Sequence, residues 1–260
     1  MQLHLQLSGS LSLPLNYRHY IQSMIYDALR SDQDFSSALH DRGTEAEKRR
    51  FKLFTFGQLE GSYRIADRRI LFSSGASLEI RSIHEDLLFR LYRCFTPGTT
   101  LRLGSATVIV EHADLTNTVI VEDTVTVRTC SPIVAYITRP DGHTRFFSPE
   151  EPEFYTLVTA NARRKWSACC GEEGNFEFFI SPAEGSRFRK QVTTYKSTRI
   201  TAWDGQFILR GSPELLNLLY HTGLGAKSSQ GFGMFFLAQK DPDKIVQKSI
   251  RSHQGASRAL

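Results

Sequence analysis

Cysteines are few in this 260-residue sequence, and it has neither a long apolar run nor a basic N-terminal leader. The four cysteines, Cys94, Cys130, Cys169 and Cys170, form no Cys-x-x-Cys pair and lack zinc-ligand spacing. We therefore expect reduced, structural thiols and no metal site. No stretch approaches the roughly 18 apolar residues of a membrane span, and the N-terminus does not resemble a signal peptide. These absences predict a cytoplasmic protein.

The net charge is modest and unevenly distributed. It is +5 at pH 7, and the segment after Gln239 holds five basic and two acidic residues, a balance of +3. We expect residues 241–260 to be a poorly ordered basic tail. A nucleic-acid surface on the body needs local clusters, although a solvated charged face explains each cluster equally well. The candidates are Arg163-Arg164-Lys165 and, further along, Arg187, Arg189, Lys190, Lys196 and Arg199.

Glycines are concentrated around a lysine near the end of the chain, in a stretch that we call the glycine segment (residues 221–236). A P-loop is excluded because Ala226 and His221 stand where it needs glycines. A dinucleotide-binding fingerprint is excluded because Ser228 stands where its third glycine would be. A helix cap followed by a turn would explain some of the glycines. A phosphate-binding loop would explain all of them. That loop would comprise Gly223, Gly225, Lys227, Ser228, Gly231 and Gly233.

Hydrophobic spacing predicts an α+β fold with antiparallel sheets. The first half has a strand at Leu3, Leu5 and Leu7, a helix capped by Asn16, a short helix at 31–42, strands at 51–56 and 77–83, a helix opened by Ser82 and Glu85, and a strand at 100–110. The second half has strands within 119–138, a helix announced by Ser148–Glu151, strands at 175–180 and 191–209, a helix capped by Ser212, and a last strand at 231–238.

Each half thus follows the order strand, helix, strand, strand, helix, strand. This is the ferredoxin-like order that RNA-recognition modules also use. We expect tandem ferredoxin-like domains at 1–113 and 118–240, with a hinge at 114–117.

Three side chains are candidates for chemistry. Tyr26 lies beside the apolar stripe of the first helix, His40 near the end of the short helix, and Lys52 interrupts the apolar strand 51–56. Each has a structural alternative: a half-buried aromatic residue, a histidine complementing the helix dipole, and a lysine whose stem is buried at a strand start.

Together with the glycine segment, these residues resemble the CRISPR-associated endoribonucleases of the Cas six (Cas6) family, within the RAMP superfamily. The similarity rests on Ile25-Tyr26, Leu39-His40, Lys52-Leu-Phe-Thr-Phe56 and, most specifically, the glycine signature. The resemblance implies that Tyr26, His40 and Lys52 are the catalytic residues. Because a charged insertion separates His40 from Lys52, Lys48 or Arg50 is an alternative catalytic cation.

Cleavage of RNA through its own 2′-hydroxyl needs a base, a cation for the phosphorane and a proton donor, but no metal or cofactor. We expect His40 to be the base, Lys52 to stabilise the transition state, and Tyr26 to orient the attacking hydroxyl or to donate a proton. The products would be a 2′,3′-cyclic phosphate and a 5′-hydroxyl. The resemblance implies CRISPR repeat RNA as partner, with an effector complex and a homodimer as further options, and no membrane or small-molecule cofactor. A non-catalytic RNA-binding subunit of the same fold is the alternative.

Overall fold

The computed structural model describes residues 1–30, 53–170, 176–196 and 198–238, together with the backbone of 246–249. Its first half contains, in chain order, β1 (Gln2–Ser8), β2 (Leu11–Pro14), α1 (Arg18–Arg30), β3 (Phe54–Phe56), β4 (Tyr63–Ala66), β5 (Arg69–Phe72), β6 (Ala76–Ser82), α2 (Glu85–Cys94), β7 (Thr100–Leu103) and β8 (Ala106–Val119). The second half contains β9 (Thr124–Thr129), β10 (Tyr136–Thr138), β11 (Thr144–Phe146), α3 (Pro152–Cys170), β12 (Phe178–Pro182), β13 (Arg189–Tyr195), β14 (Thr198–Asp204), β15 (Gln206–Gly211), α4 (Pro213–Thr222), β16 (Phe235–Leu237) and β17 (Val246–Ser249).

Both halves have the strand order of a ferredoxin-like domain. In the first half the sheet runs β8-β1-β6-β3, with β7 and β17 also paired to β8. In the second half it runs β12-β15-β9-β16. Every pairing within these two sheets is antiparallel. The predicted α+β fold with tandem ferredoxin-like domains is therefore confirmed.

Each half has its own hydrophobic core, because alternate residues of each strand point toward the helices. Leu3, Leu5 and Leu7 of β1 are almost fully buried in the first core. Val127, Phe207 and Phe235 belong to the second core, which α3 and α4 cover. Burying a side chain of this size stabilises the fold by about 1.5–3 kcal/mol.

Several predicted boundaries are wrong for identifiable reasons. Residues 114–117, expected as a hinge, continue β8 and pair with β1 through Gln2 and His4. Ser82 does not cap α2, because its hydroxyl accepts from the His84 amide and donates to the Leu53 carbonyl, and the N-cap residue is His84.

The remaining differences are local. α1 begins at Arg18, and Asn16 contacts the His19 ring through its carbonyl oxygen. The predicted strand 191–209 is broken into β13, β14 and β15, the strand 100–110 is split between β7 and β8, and the hairpin β4–β5 was not predicted. Ser212 caps α4 as predicted, accepting from the Leu215 amide at 3.3 Å. The helix predicted at 31–42 lies outside the described residues.

None of the helices in the described ranges is long and apolar enough to cross a membrane.

Candidate nucleic-acid interface

The glycine segment links α4 to β16 and packs closely against the rest of the protein. Gly231 has φ of +83°, and a Cβ at this position would lie 2.4 Å from Phe56 Cε2 of β3. Gly233 has φ of +76°, and a Cβ there would lie 1.9 Å from the Leu224 carbonyl oxygen. Gly223 and Gly225 also have positive φ. Glycine is required here because the backbone is left-handed and its neighbours leave no room for a side chain.

Buried cations of the first half hold the glycine segment in place. Arg18 of α1 donates from Nη1 to the Gly231 carbonyl at 2.5 Å, and its guanidinium lies 4.9 Å from the centre of the Phe232 ring. Arg81 of β6, which is fully buried, donates from Nη1 to the Phe235 carbonyl at 2.7 Å. The glycine segment therefore forms part of the junction between the two ferredoxin-like halves.

Lys165 of α3 holds the opposite side of this segment. Its ammonium donates to the carbonyls of Thr222 and Gly223 at 2.9 and 2.5 Å and to the Ser228 hydroxyl at 2.9 Å. These carbonyls end α4, where the helix dipole favours a cation. Burial, with a smaller effect from Arg164, lowers the pKa of Lys165 to about 7. The sequence placed Lys165 in a candidate RNA-binding cluster, but the structure turns its ammonium inward.

Lys227 is the lysine of the glycine segment, and the structure leaves it partly exposed. Its backbone is left-handed, with φ of +62°, and its Nζ lies 5.0 Å from the centre of the Tyr136 ring. Partial burial lowers its pKa. Ser228 is buried, and its hydroxyl also donates to the Gly225 carbonyl. Of the two polar side chains in the predicted phosphate-binding loop, Lys227 is therefore the one that a ligand can approach.

Tyr26 lies on α1 against the first core. Its ring is 6.1 Å from that of Phe54 in an edge-on arrangement, and burial raises its pKa. Burial, with a smaller effect from nearby Tyr26, raises the pKa of Tyr195 to about 12. The Tyr195 hydroxyl donates to Gln22 Oε1, and Gln22 donates to the Ser229 carbonyl at 2.7 Å. Tyr26 thus lies beside a polar chain that joins α1, the hairpin β13–β14 and the glycine segment.

The other predicted catalytic residues, His40 and Lys52, and the alternatives Lys48 and Arg50, lie outside the described residues. The described chain resumes at Leu53.

The predicted RNA-binding cations at 187–199 lie on and just before the hairpin β13–β14. Lys196 forms its turn with φ of +53°, and Arg187, Lys190 and Arg199 are exposed. Arg189 is exposed but donates to Asp204 Oδ2 from Nε and Nη2 at 3.2 and 3.0 Å. This ion pair neutralises part of the cluster.

A groove runs between this hairpin and the first half of the chain. Its polar lining includes Asn16, Gln58, Arg68, Gln191 and Arg199. Arg68, in the turn between β4 and β5, was not among the predicted residues because no sequence pattern placed that turn beside the hairpin. The lining of the groove is mixed, with Leu15 and Val192 beside the polar side chains, and its exposed arginines Arg68 and Arg199 suit a phosphate backbone.

The described part of the chain holds no group of three His, Cys, Asp or Glu side chains arranged to bind a metal ion.

Similarity to known proteins agrees with this architecture. Residues 115–237 match the family profile "CRISPR associated protein Cas6, C-terminal". "CRISPR-associated endoribonuclease Cas6 1" of Methanocaldococcus jannaschii is 26% identical over 242 residues, covering 90% of this chain and 91% of that protein. "CRISPR-associated endoribonuclease Cas6" of Pyrococcus furiosus is 25% identical over 228 residues, covering 85% and 82%.

A solved structure described as "An RAMP protein binding different RNA substrates" superposes with a TM-score of 0.78 at 21% identity, covering 92% of this chain and 100% of that one. The chain therefore shares the tandem ferredoxin-like fold with that protein. In its sequence the chain is thus similar to Cas6 proteins, through the profile match in its second half and through both relatives over most of its length.

Proposed function

We propose that this protein is a metal-independent endoribonuclease that cleaves CRISPR repeat RNA into guide RNAs. One observation carries the proposal: Tyr26 lies between β3 and the cationic hairpin. It does so in a chain of which 90% aligns with a CRISPR-associated endoribonuclease. A phenol close to a hairpin that carries exposed cations suits chemistry at a phosphodiester.

The proposed reaction uses the nucleophile of the substrate. His40 takes the proton of the 2′-hydroxyl, and the 2′-oxygen attacks the adjacent phosphorus. Lys52, or Lys48 or Arg50 in its place, balances the charge that develops on the phosphorane. The bond to the 5′-oxygen breaks and that oxygen takes up a proton. The products are a 2′,3′-cyclic phosphate and a 5′-hydroxyl.

Burial supports a donor role for Tyr26. Because the pKa of its phenol is raised, the phenol stays protonated at neutral pH. It can therefore donate a hydrogen bond or a proton, whereas service as a base would need the phenolate. The base role accordingly belongs to His40 in this proposal, since a histidine titrates near neutral pH.

RNA binding is assigned to the partly exposed Lys227 and to the hairpin cations. The glycines position this surface: they let the segment pack against β3 while Lys227 remains accessible. The exposed hairpin cations Arg187, Lys190, Lys196 and Arg199 would then follow the backbone of the RNA. Retention of the product in an effector complex and formation of a homodimer belong to the same proposal, and sizing the protein with and without cleaved RNA tests both.

The experiment replaces His40 with alanine and measures RNA binding and cleavage separately. If His40 is catalytic, the variant should bind RNA as the wild type does, while its cleavage rate falls by about 10²-fold or more. Unchanged cleavage by the His40→Ala protein contradicts the mechanism. If the wild-type protein binds repeat RNA without cutting it, the chain is the alternative, a non-catalytic RNA-binding subunit of this fold.

A further inference from the structure

The hairpin β13–β14 is attached to the second half at its base. Arg189 and Gln191 of β13 both donate to Oδ2 of Asp204, the last residue of β14. Beside them, the backbones of Ile133 and Trp203 exchange hydrogen bonds of 2.8 and 3.0 Å. A two-stranded hairpin is only marginally stable by itself in water. The position of the tip therefore depends on contacts other than those at the base.

Tyr195 attaches the tip of the hairpin to the first half. It is the last residue of β13, where it pairs with Thr198. Its side chain is buried in a small hydrophobic cluster that includes Ile200 of β14 and Phe232 of the glycine segment. Its ring also meets the ring of His19 of α1 edge-on, with the ring centres 6.3 Å apart. One side chain at the tip thus contacts both the first helix and the glycine segment.

The polar chain that starts at the Tyr195 hydroxyl strengthens this attachment. Tyr195 donates to Gln22 Oε1, and Gln22 Nε2 donates to the Ser229 carbonyl at 2.7 Å. The amide of Gln22 is thereby paired at both ends, its oxygen with the hairpin and its nitrogen with the glycine segment. Burial, with a smaller effect from Tyr26, raises the pKa of Tyr195 to about 12, so its hydroxyl remains a donor at neutral pH.

The face of α1 that receives the hairpin also carries Tyr26. His19, Gln22 and Tyr26 follow one another at spacings of three and four residues, which places them on one face of the helix. Tyr26 is also close enough to Tyr195 to affect its pKa. The tip of the hairpin is therefore held beside the phenol of the proposed donor.

The position of Tyr195 determines where the exposed cations of the tip lie. Lys196 is the next residue along the chain, and Arg199 pairs with Thr194, the residue before Tyr195. Arg199 also lines the groove that it shares with Asn16. A cation stabilises a phosphorane only from a defined position, and a displacement of about 1 Å costs up to about 10²-fold in rate. A shift of the tip would therefore slow the reaction even though every cation remained on the hairpin.

We propose that Tyr195 is a positioning residue for cleavage, which holds the cationic tip of the hairpin at Tyr26 by donating to Gln22. This inference rests on the proposed function, because it assumes that Tyr26 acts on bound RNA. Tyr195 acts through the hairpin and takes no part in the reaction itself, since its ring is buried and its hydroxyl is engaged by Gln22. The two phenols thus have different roles, one in the reaction and one in its geometry.

The test compares cleavage with affinity in Tyr195→Phe, which keeps the buried ring and removes only the hydroxyl. At saturating repeat RNA, its single-turnover rate should fall by about 10- to 100-fold. Its dissociation constant for a labelled repeat RNA with a 2′-deoxynucleotide at the cut site should match the wild type, because the cations remain on the hairpin. Loss of affinity with an unchanged rate would overturn the positioning role.

The partner side chain tests whether the polar chain acts as a unit. Gln22→Met keeps the length of the side chain but removes both of its hydrogen bonds, so the rate should fall at least as far. The double variant Tyr195→Phe/Gln22→Met should be no slower than Gln22→Met, since the second change removes nothing further. Rate losses that multiply in the double variant would mean that the two residues act independently, which contradicts the proposal.

Tyr155→Phe is the matched control. The Tyr155 hydroxyl is partly buried and donates to the Pro149 carbonyl at 2.7 Å near the start of α3. Its removal should leave the cleavage rate and the affinity at their wild-type values. Equal rate losses in Tyr155→Phe and Tyr195→Phe would contradict a specific role for Tyr195.

Amide hydrogen exchange reports the anchoring without relying on cleavage. Loss of one hydrogen bond predicts that the backbone amides of β13 exchange about 2- to 10-fold faster in Tyr195→Phe, while those of β12 and β15 keep their wild-type rates. If exchange in β13 matches the wild type, this hydroxyl does not anchor the tip.

These measurements distinguish the positioning role from the proposed function. A wild-type protein that binds but does not cut contradicts the proposed function, and exchange in β13 then still decides whether Tyr195 anchors the tip. A wild-type protein that cuts, together with a Tyr195→Phe protein that cuts at the same rate, contradicts the positioning role and leaves the proposed function intact.

Discussion

The Arg18 guanidinium lies 2.5 Å from the Gly231 carbonyl oxygen and joins the first helix to the glycine segment 213 residues further along the chain. Arg18 is buried, and burial lowers its pKa. An arginine remains charged in this setting because its ordinary pKa is so high. The glycine segment near the C-terminus therefore helps to connect the two ferredoxin-like halves.

Gly231 should be intolerant of any side chain. In Gly231→Ala the new Cβ meets the Phe56 ring, in addition to the strain of positive φ, so we expect a loss of about 2–4 kcal/mol in the free energy of unfolding. Gly142→Ala is the control, because Gly142 has nearly the same φ of +81° and no atom within 4 Å of a Cβ. Urea denaturation measures both. Equal losses in the free energy of unfolding would show that the contact with Phe56 does not contribute to the destabilisation.

Lys165 should make stability depend on pH. Its folded pKa of about 7 lies below the ordinary lysine value of 10.5, so between these two pH values the unfolded chain binds more protons than the folded one. Stability should therefore rise with pH in this window, by at most about 1.4 kcal/mol per pH unit. Lys165→Met should remove this rise, as measured by urea denaturation at pH 7, 8 and 9. The same pH dependence in both proteins would contradict an ammonium buried at the end of α4.

The sequence predicted some elements well, and the physical reasons are clear. Leu3, Leu5 and Leu7 alternate because one face of β1 is buried, and Ser212 before a proline gives a strong helix start. These elements are predictable because they depend on residues that are close together in the sequence. The tandem ferredoxin-like fold followed from their order.

Other features depend on contacts between distant residues and could not be predicted. Ser82 looked like a helix cap but donates to Leu53 instead. Lys165 looked like a surface cation, yet its ammonium is held by carbonyls nearly 60 residues away. Strand β4 lacks the alternating burial that reveals a strand, with Tyr63 and Ile65 both exposed. A single sequence contains no signal for these pairings.

Tyr26→Phe should slow cleavage while leaving RNA affinity unchanged. The ring keeps its contact with Phe54, and only the hydroxyl that would donate is removed. We expect a single-turnover rate about 10²- to 10³-fold lower, the typical cost of losing a transition-state donor. The control is Tyr92→Phe, which removes the hydroxyl of a partly buried tyrosine in α2. A Tyr26→Phe protein with the wild-type rate would show that Tyr26 is structural.

Lys227→Ala should weaken RNA binding in a salt-dependent way. Removal of one phosphate contact predicts a reduction of about one in the slope of log affinity against log salt concentration. Anisotropy titrations at several salt concentrations measure this slope, with Arg102→Ala of β7 as the control. If the slope and the affinity of Lys227→Ala match the wild type, Lys227 does not contact RNA.

Incubation of the protein with its own repeat RNA in excess chelator, followed by analysis of the product ends, tests the central claim most directly. The account predicts one cut that leaves a 2′,3′-cyclic phosphate and a 5′-hydroxyl, and complete loss of cleavage when the 2′-hydroxyl at that position is replaced by hydrogen. Cleavage of the 2′-deoxy substrate, or cleavage that stops in chelator, would contradict it.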